Sequence, residues 1–442
     1  MNNFVEVRPR TPSPPPSSSS SSSLYNLVEP YEAPGSVERC GMCNTRFAEL
    51  KACKGCFLIK YCSKEHQADH WKKHKPSCMV NRYDKDGNTP LCLAIKKGDL
   101  KEVRSLIEIG ASLNLKIKNR YTPLIVACQK GYHDIATLLC DRGASLNLQI
   151  ADGATALYLA CQENHLECAR LLCDRGADIN LAMHNGVTAL MMACEKGRLE
   201  CARLLCDRGA DINLQSQNGA TALMVACEKG HLDIVTLLCD RGASLNLQQS
   251  NGATALYQAC WTNHLECARL LCDRGADINL ATHNGVTALM MACEKGHLDI
   301  VTLLCDRGAS LNLQQSNGAT ALYRACWTNH LECARLLCDR GADINLAMHN
   351  GVTALMMACE KGRLECARLL CKGGAAVDLQ RPDGATALCV ASREGHLDIV
   401  PLLCEYGANT LLSVDGITSY MFAGHTHGYD SPIALFLKSY PH

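Results

Sequence analysis

One unit of 33 residues repeats from Asp84 to about Leu412, and nothing else in the chain limits its possible folds so sharply. The turn dipeptide that opens the unit returns at Asp86, Asp152, Asn185, Asn218, Asn251, Asn284, Asn317, Asn350 and Asp383, each followed by Gly. Asn119-Arg120 fills the remaining slot in register. A fixed period of this length implies a solenoid of stacked units rather than a single globular core.

The copy from Gln249 to Ala281 illustrates what one unit can form. Asn251-Gly252 supplies a turn that tolerates positive φ at its glycine. Thr254 stands where a helix N-cap belongs, which predicts a short apolar helix over Ala255 to Trp261. Asn263 breaks the chain where most copies carry Gly. Leu265 to Cys272 then reads as a second helix, with Leu270 and Leu271 on its buried side and Gly275 closing it in the left-handed conformation. Helices of about two to three turns are marginal alone, so stacking on neighbours is obligatory.

These residues, in this phase, resemble the ankyrin repeat, whose pattern runs through a turn, Thr-Pro-Leu-His, paired alanines, Gly-His, Leu-Leu and Gly-Ala. The resemblance covers residues 84–412 as ten repeats and implies a mainly α solenoid of helix-turn-helix plus hairpin units. Thr-Pro-Leu survives only at Thr89-Pro90-Leu91 and Thr122-Pro123-Leu124. The motif's histidine is replaced throughout, by Cys92, Ile125, Tyr158, Met191 and their counterparts. Apolar packing is therefore expected where that histidine would hydrogen-bond between repeats. In residues 413–442, Asp415-Gly416-Ile417-Thr418 restarts the pattern one residue early, which predicts a degenerate capping repeat.

Charge is balanced, 44 Lys and Arg against 44 Asp and Glu. No apolar run approaches the roughly 18 residues of a membrane span, and the N-terminus lacks the apolar core of a signal peptide. The expectation is a soluble intracellular chain, cytoplasmic and/or nuclear, with neither a membrane partner nor a small-molecule substrate. Of 30 cysteines, 24 fall in the repeats at helix slots where the ankyrin pattern has Ala, Leu or Ile. Buried free thiols behave as small hydrophobes, so these read as core residues rather than disulfide partners.

Residues 1–36 hold Pro12-Ser13-Pro14-Pro15-Pro16 and an unbroken serine run to Ser23, a composition that predicts a disordered tail. Residues 37–80 carry the only metal-binding chemistry. Cys40 and Cys43, then Cys53 and Cys56, form two CxxC pairs, and Cys62/His66 and His74/Cys78 form two i,i+4 pairs. That is zinc spacing: CxxC turns and single helix faces each aim two donors at one ion. Eight ligands make two closed tetrahedral sites, so the zinc is structural, and its binding supplies the folding energy that so small a segment lacks.

The run from Tyr61-Cys62-Ser63 through His66-Gln67, His70-Trp71 and His74-Lys75 to Cys78 resembles the MYND-type zinc finger, with His66 replacing a family cysteine. The resemblance implies two zinc ions, one on Cys40, Cys43, Cys62 and His66, the other on Cys53, Cys56, His74 and Cys78. His70 is the alternative to His66. It also implies a protein-interaction module in which Gln67 and Trp71 line a groove for proline-containing peptides. Packing of Trp71 on the finger's last helix is the competing reading. The segment is basic, nine Lys or Arg against four Asp or Glu, so a nucleic-acid-associated transcriptional regulator is the alternative function. No base-reading aromatics accompany that charge.

The leading expectation is a non-catalytic adaptor: the repeats grip one protein and the finger another. MYND fingers also occur inside lysine methyltransferases, but the repeats fill the chain from Asp84 onward and no nucleophile–base constellation stands outside them. Most repeats end the first helix in Glu or Gln, whereas two end in Trp261 and Trp327. With Tyr257 and Tyr323 one turn earlier, these line one side of the array. They are either groove residues for a partner or copies of one duplicated block whose tryptophans lie flat on their neighbours.

Overall fold

The computed structural model describes residues 51–52, 60–61, 70, 73, 75 and 79–440. The chain divides into two units, 1–75 and 76–442. In the first, Lys51–Ala52 pairs antiparallel with Lys60–Tyr61, Lys51 opposite Tyr61. The pairing joins the residues that precede Cys53 and Cys62. His70, Lys73 and Lys75 are helical. The eight expected zinc ligands, Gln67, Trp71 and the serine-rich tail lie outside the described residues.

The second unit is a stack of helix pairs. Ten follow the 33-residue phase, from Pro90–Lys97 with Leu100–Glu108 to Ala387–Glu394 with Ile399–Glu405. In the copy used above the first helix spans Ala255–Trp261 and the second Leu265–Asp273. Thr254 caps the first, its Oγ1 accepting from the Tyr257 N–H at 3.2 Å. A cap of this kind stabilises by about 1 kcal/mol, and the same threonine contact recurs from Thr89 to Thr386. Asn263 takes the left-handed conformation at φ 63°, as do Asn164, Asn329 and the glycines that fill this slot elsewhere.

Ala, Leu and Cys of successive helices form one continuous buried core along the stack. Leu271 is buried as expected, while Leu270 is only half-buried. The slots that lack the motif histidine, among them Tyr158, Met191 and Met224, are buried apolar positions. Hydrogen bonds between repeats are nevertheless present, supplied from elsewhere. In five repeats the residue before the second helix reaches the carbonyl that ends the preceding repeat's first helix, among them His231 Nε2 to Glu195 O at 3.3 Å, His264 to Glu228 at 3.1 Å and His396 to Glu360 at 3.1 Å. Arg198 does the same to Gln162 O at 3.4 Å.

Two further ladders link the repeats, one along the whole array and one from Asp141 to Arg340. Asn114 accepts from the Ser145 N–H, Asn147 from Asp178, Asn180 from Asp211, and the series continues to Asp378 with Asn409, at 2.8 to 2.9 Å. At the C-terminal ends of the second helices, Arg175 pairs with Asp141 at 2.7 Å, Arg241 with Asp207 at 2.6 Å and Arg274 with Asp240 at 2.7 Å. Single exposed pairs contribute about 0–1 kcal/mol, so these ladders fix spacing more than they stabilise.

Residues 413–440 form a complete pair of helices, Ser419–His427 and Pro432–Ser439, opened by a hairpin of Ser413–Val414 and Ile417–Thr418. The sequence pattern fades there, yet Thr418 and Ser431 cap both helices, and Ala423, Ile433, Ala434 and Leu437 extend the core.

All 24 repeat cysteines are free thiols, buried or half-buried. Burial pushes Cys140, Cys173 and Cys338 up to about 11. Hydrogen bonds to Cys168 and Cys201, together with burial, hold Cys128 and Cys161 well above the ordinary thiol range. At neutral pH a thiol raised by about two units carries roughly a hundredfold less thiolate, and thiolate is the reacting form. Most repeat thiols should therefore resist iodoacetamide in native, non-reducing buffer, label faster as pH climbs toward 11, and react at once in denaturant. Mass-spectrometric counting of labelled sites checks this. Rapid native labelling of most of them would contradict their placement in the core.

Candidate functional site

In the first two repeats, and again around Asn350, Glu360 and Asp383, the end of a first helix and the hairpin tips beside it line one cleft. The first of these clefts is lined by tip residues Asp86, Asn88 and Lys118 and helix-end residues Lys96 and Lys130. In the 33-residue phase the slot of Lys96 is filled by Gln129, Gln162, Glu195, Glu228, Trp261, Glu294, Trp327, Glu360 and Arg393 in turn. The two indoles thus interrupt a polar row.

Trp261 stands against a tyrosine. Thr254 starts the helix that places Tyr257 at its first turn, buried beside Ala253 and Met291, and Trp261 one turn later. Their ring centroids lie 6.0 Å apart with a tilt of 55°. Tyr257 is 7% exposed and Tyr323 8%, whereas Trp261 and Trp327 are each 46% exposed. The two residue types divide their roles: the tyrosines are core, and the tryptophans are surface. Burial pushes Tyr323 up to about 12, which keeps its phenol neutral. The backbone at Trp261 is fixed too, because His297 Nε2 reaches its carbonyl at 3.3 Å.

The two tryptophans are not equivalent. In three repeats the lysine after the helix-end glutamate pairs with it: Lys196 with Glu195 at 3.1 Å, Lys229 with Glu228 at 2.8 Å, Lys361 with Glu360 at 3.0 Å. Glu294 pairs instead with Arg324, and Lys295 sits with its Nζ 5.2 Å from the centre of the Trp261 ring. A cation over an indole is attracted by about 0.5–1 kcal/mol at an exposed site. Arg324 occupies the slot of Gln258 in the otherwise near-identical block. It is 9% exposed, its guanidinium also donates to the side-chain amide oxygen of Gln315, and burial lowers its pKa. Sequence reading passed over Arg324, although that difference between two duplicated blocks was its signal.

The exposed histidines at the tips, His184, His283 and His349, lie in separate repeats. Among the described residues, no group of three or more His, Cys, Asp or Glu side chains is placed to hold a metal ion. No helix among them is long and apolar enough to cross a membrane.

The family described as "Ankyrin repeats (3 copies)" matches residues 56–150, 145–216, 208–282, 275–348 and 343–413. SET domain-containing protein 14 of Caenorhabditis elegans is 49% identical over 41 residues, which is 9% of this chain and 10% of that protein. The chain thus spans about a tenth of the length of that curated relative.

Proposed function

We propose that this chain, which belongs to the ankyrin repeat family, is a non-catalytic adaptor whose array grips one protein while its N-terminal finger grips another. Ankyrin repeats point to protein–protein interaction. The observation that carries the array's part is the pair of indoles left 46% exposed, each one turn after a buried tyrosine. An aromatic side chain held rigid by its own core and open to water is the kind of group that dominates interface energies.

For the finger, the donor set supports two zinc ions: six thiols and two imidazoles suit a closed tetrahedral metal, and no open position remains for a reacting water. When bound, the zinc would tie together a segment with little apolar core of its own. By the MYND resemblance, Gln67 and Trp71 take a proline-containing peptide. A match of 41 residues carries no whole-protein activity across, so none is assigned from the SET domain-containing relative. The many free thiols of the array fit a reducing compartment, and we place the adaptor inside the cell.

The test of the array's part is the double change Trp261→Ala with Trp327→Ala in the full chain, shown by circular dichroism to stay folded. Each hot-spot indole is worth about 2 kcal/mol, so affinity for an array partner should fall roughly thirtyfold if one indole carries the contact and several hundredfold if both do. Unchanged affinity for every array partner would mean that the indoles are packing residues.

A further inference from the structure

The first two repeats differ from the rest in charge. Residues 84–149 hold ten Lys or Arg against seven Asp or Glu, while 150–442 hold twenty-two against thirty. The excess gathers around the cleft of about 560 Å³ between the first two hairpin tips and their helices. Its floor is apolar, made by Ile117, Tyr121 and Val126, and Lys96, Lys118 and Lys130 stand around it. Asp86 is the one carboxylate among its lining residues.

The repeat template explains why this charge is open. Where Lys196, Lys229 and Lys361 each follow a glutamate that neutralises them, Lys130 follows Gln129. Lys96 takes the slot that holds Glu or Gln in most later copies, and its Nζ donates to Asn88 Oδ1 at 2.6 Å, a neutral acceptor. At the tip, Lys118 and Tyr121 replace alanines found in the next repeat. Arg120 holds a φ of 65° where the other tips place Gly. A side chain in that conformation costs about 1 kcal/mol or more, and such strain is characteristic of functional positions.

We propose that this cleft docks an acidic peptide segment of a partner protein, an apolar side chain entering between Tyr121 and Val126 while Asp or Glu side chains meet Lys118 and Lys130. The volume lies in the usual range for a built site, about 300–1,000 Å³. A compact cleft with one aromatic fits a short segment better than a nucleic-acid strand, which needs a basic track with successive stacking rings. The proposal rests on the reading of the array as a protein-docking element, but it uses a site separate from Trp261 and Trp327.

The full chain is applied to an array of short synthetic peptides in three sets: Asp/Glu-rich with Leu or Phe, Lys/Arg-rich with the same apolar residues, and neutral. The strongest binder is then titrated by fluorescence anisotropy. Binding should concentrate in the acidic set and weaken steeply with salt. Lys118→Glu with Lys130→Glu should weaken it at least about tenfold. Trp261→Ala with Trp327→Ala should leave it unchanged. If the charge reversal unfolds the chain, Lys118→Gln with Lys130→Gln serves in its place. No preference for acidic peptides, an acidic preference that survives loss of both lysines, or displacement of the peptide by a single-stranded oligonucleotide at lower concentration would each overturn the proposal. If the tryptophan variant loses its partners while acidic peptides fail to bind, the adaptor reading stands and this cleft proposal falls.

Discussion

Gly252→Ala should destabilise the array by about 3 kcal/mol or more, and Gly275→Ala by only about 1 kcal/mol, although both glycines have the same φ of +86°. The backbone strain of an alanine in the left-handed region is common to the two. The surroundings differ. A Cβ on Gly252 would stand 2.5 Å from the backbone nitrogen of His283 and 2.7 Å from the Cα of Thr282. Backbone cannot swing away as a side chain can, so the tips would separate and strain the hydrogen bond from His283 N–H to Asn251 O at 3.0 Å. A Cβ on Gly275 meets nothing within 4 Å. Urea unfolding followed by circular dichroism measures both. Because a solenoid's stability sums units and their interfaces, Gly252→Ala should also broaden the transition as the array loosens at that junction. Equal midpoint shifts for the two variants would contradict the tip-on-tip packing.

Removing zinc should have the other large effect. Metal analysis of the intact chain should find two zinc ions, and Cys53→Ser, or a chelator, should unfold residues 37–80. Apparent binding energies of about 10–16 kcal/mol per structural zinc leave such a segment no stable apo form. Most of the helical signal should persist, because damage at one end of a repeat array stays local. One zinc ion or none in well-folded protein would remove the two-site assignment.

Much of the array was legible in the sequence for local reasons. Ala255–Trp261 is bounded by a threonine cap and by an Asn or Gly break, both within a few residues, and those signals fixed the helix ends. What escaped sequence reading depends on contacts made one repeat away. His264 reads locally as an ordinary turn residue, and its role emerges only when its ring reaches the Glu228 carbonyl 36 positions earlier. Arg324 reads as a surface substitution for Gln258 until stacking brings Glu294 beside it and frees Lys295 to cover Trp261. The division between buried Tyr257 and exposed Trp261 was equally out of reach, since both share one helix face. At the C-terminal end, His425 to Ser431 lacks the repeat's consensus, and the helix pair there is held by Thr418, Ser431 and core alanines that no period announces.

The most direct test of the two-handed adaptor compares three full-length chains in affinity capture with quantitative mass spectrometry: wild type, Trp261→Ala with Trp327→Ala, and Cys53→Ser. The predicted result is two separate sets of losses, one group of proteins lost with the indoles and kept with the broken finger, the other lost with the finger and kept with the indoles. Loss of the same proteins from both variants, or of none from either, would contradict it.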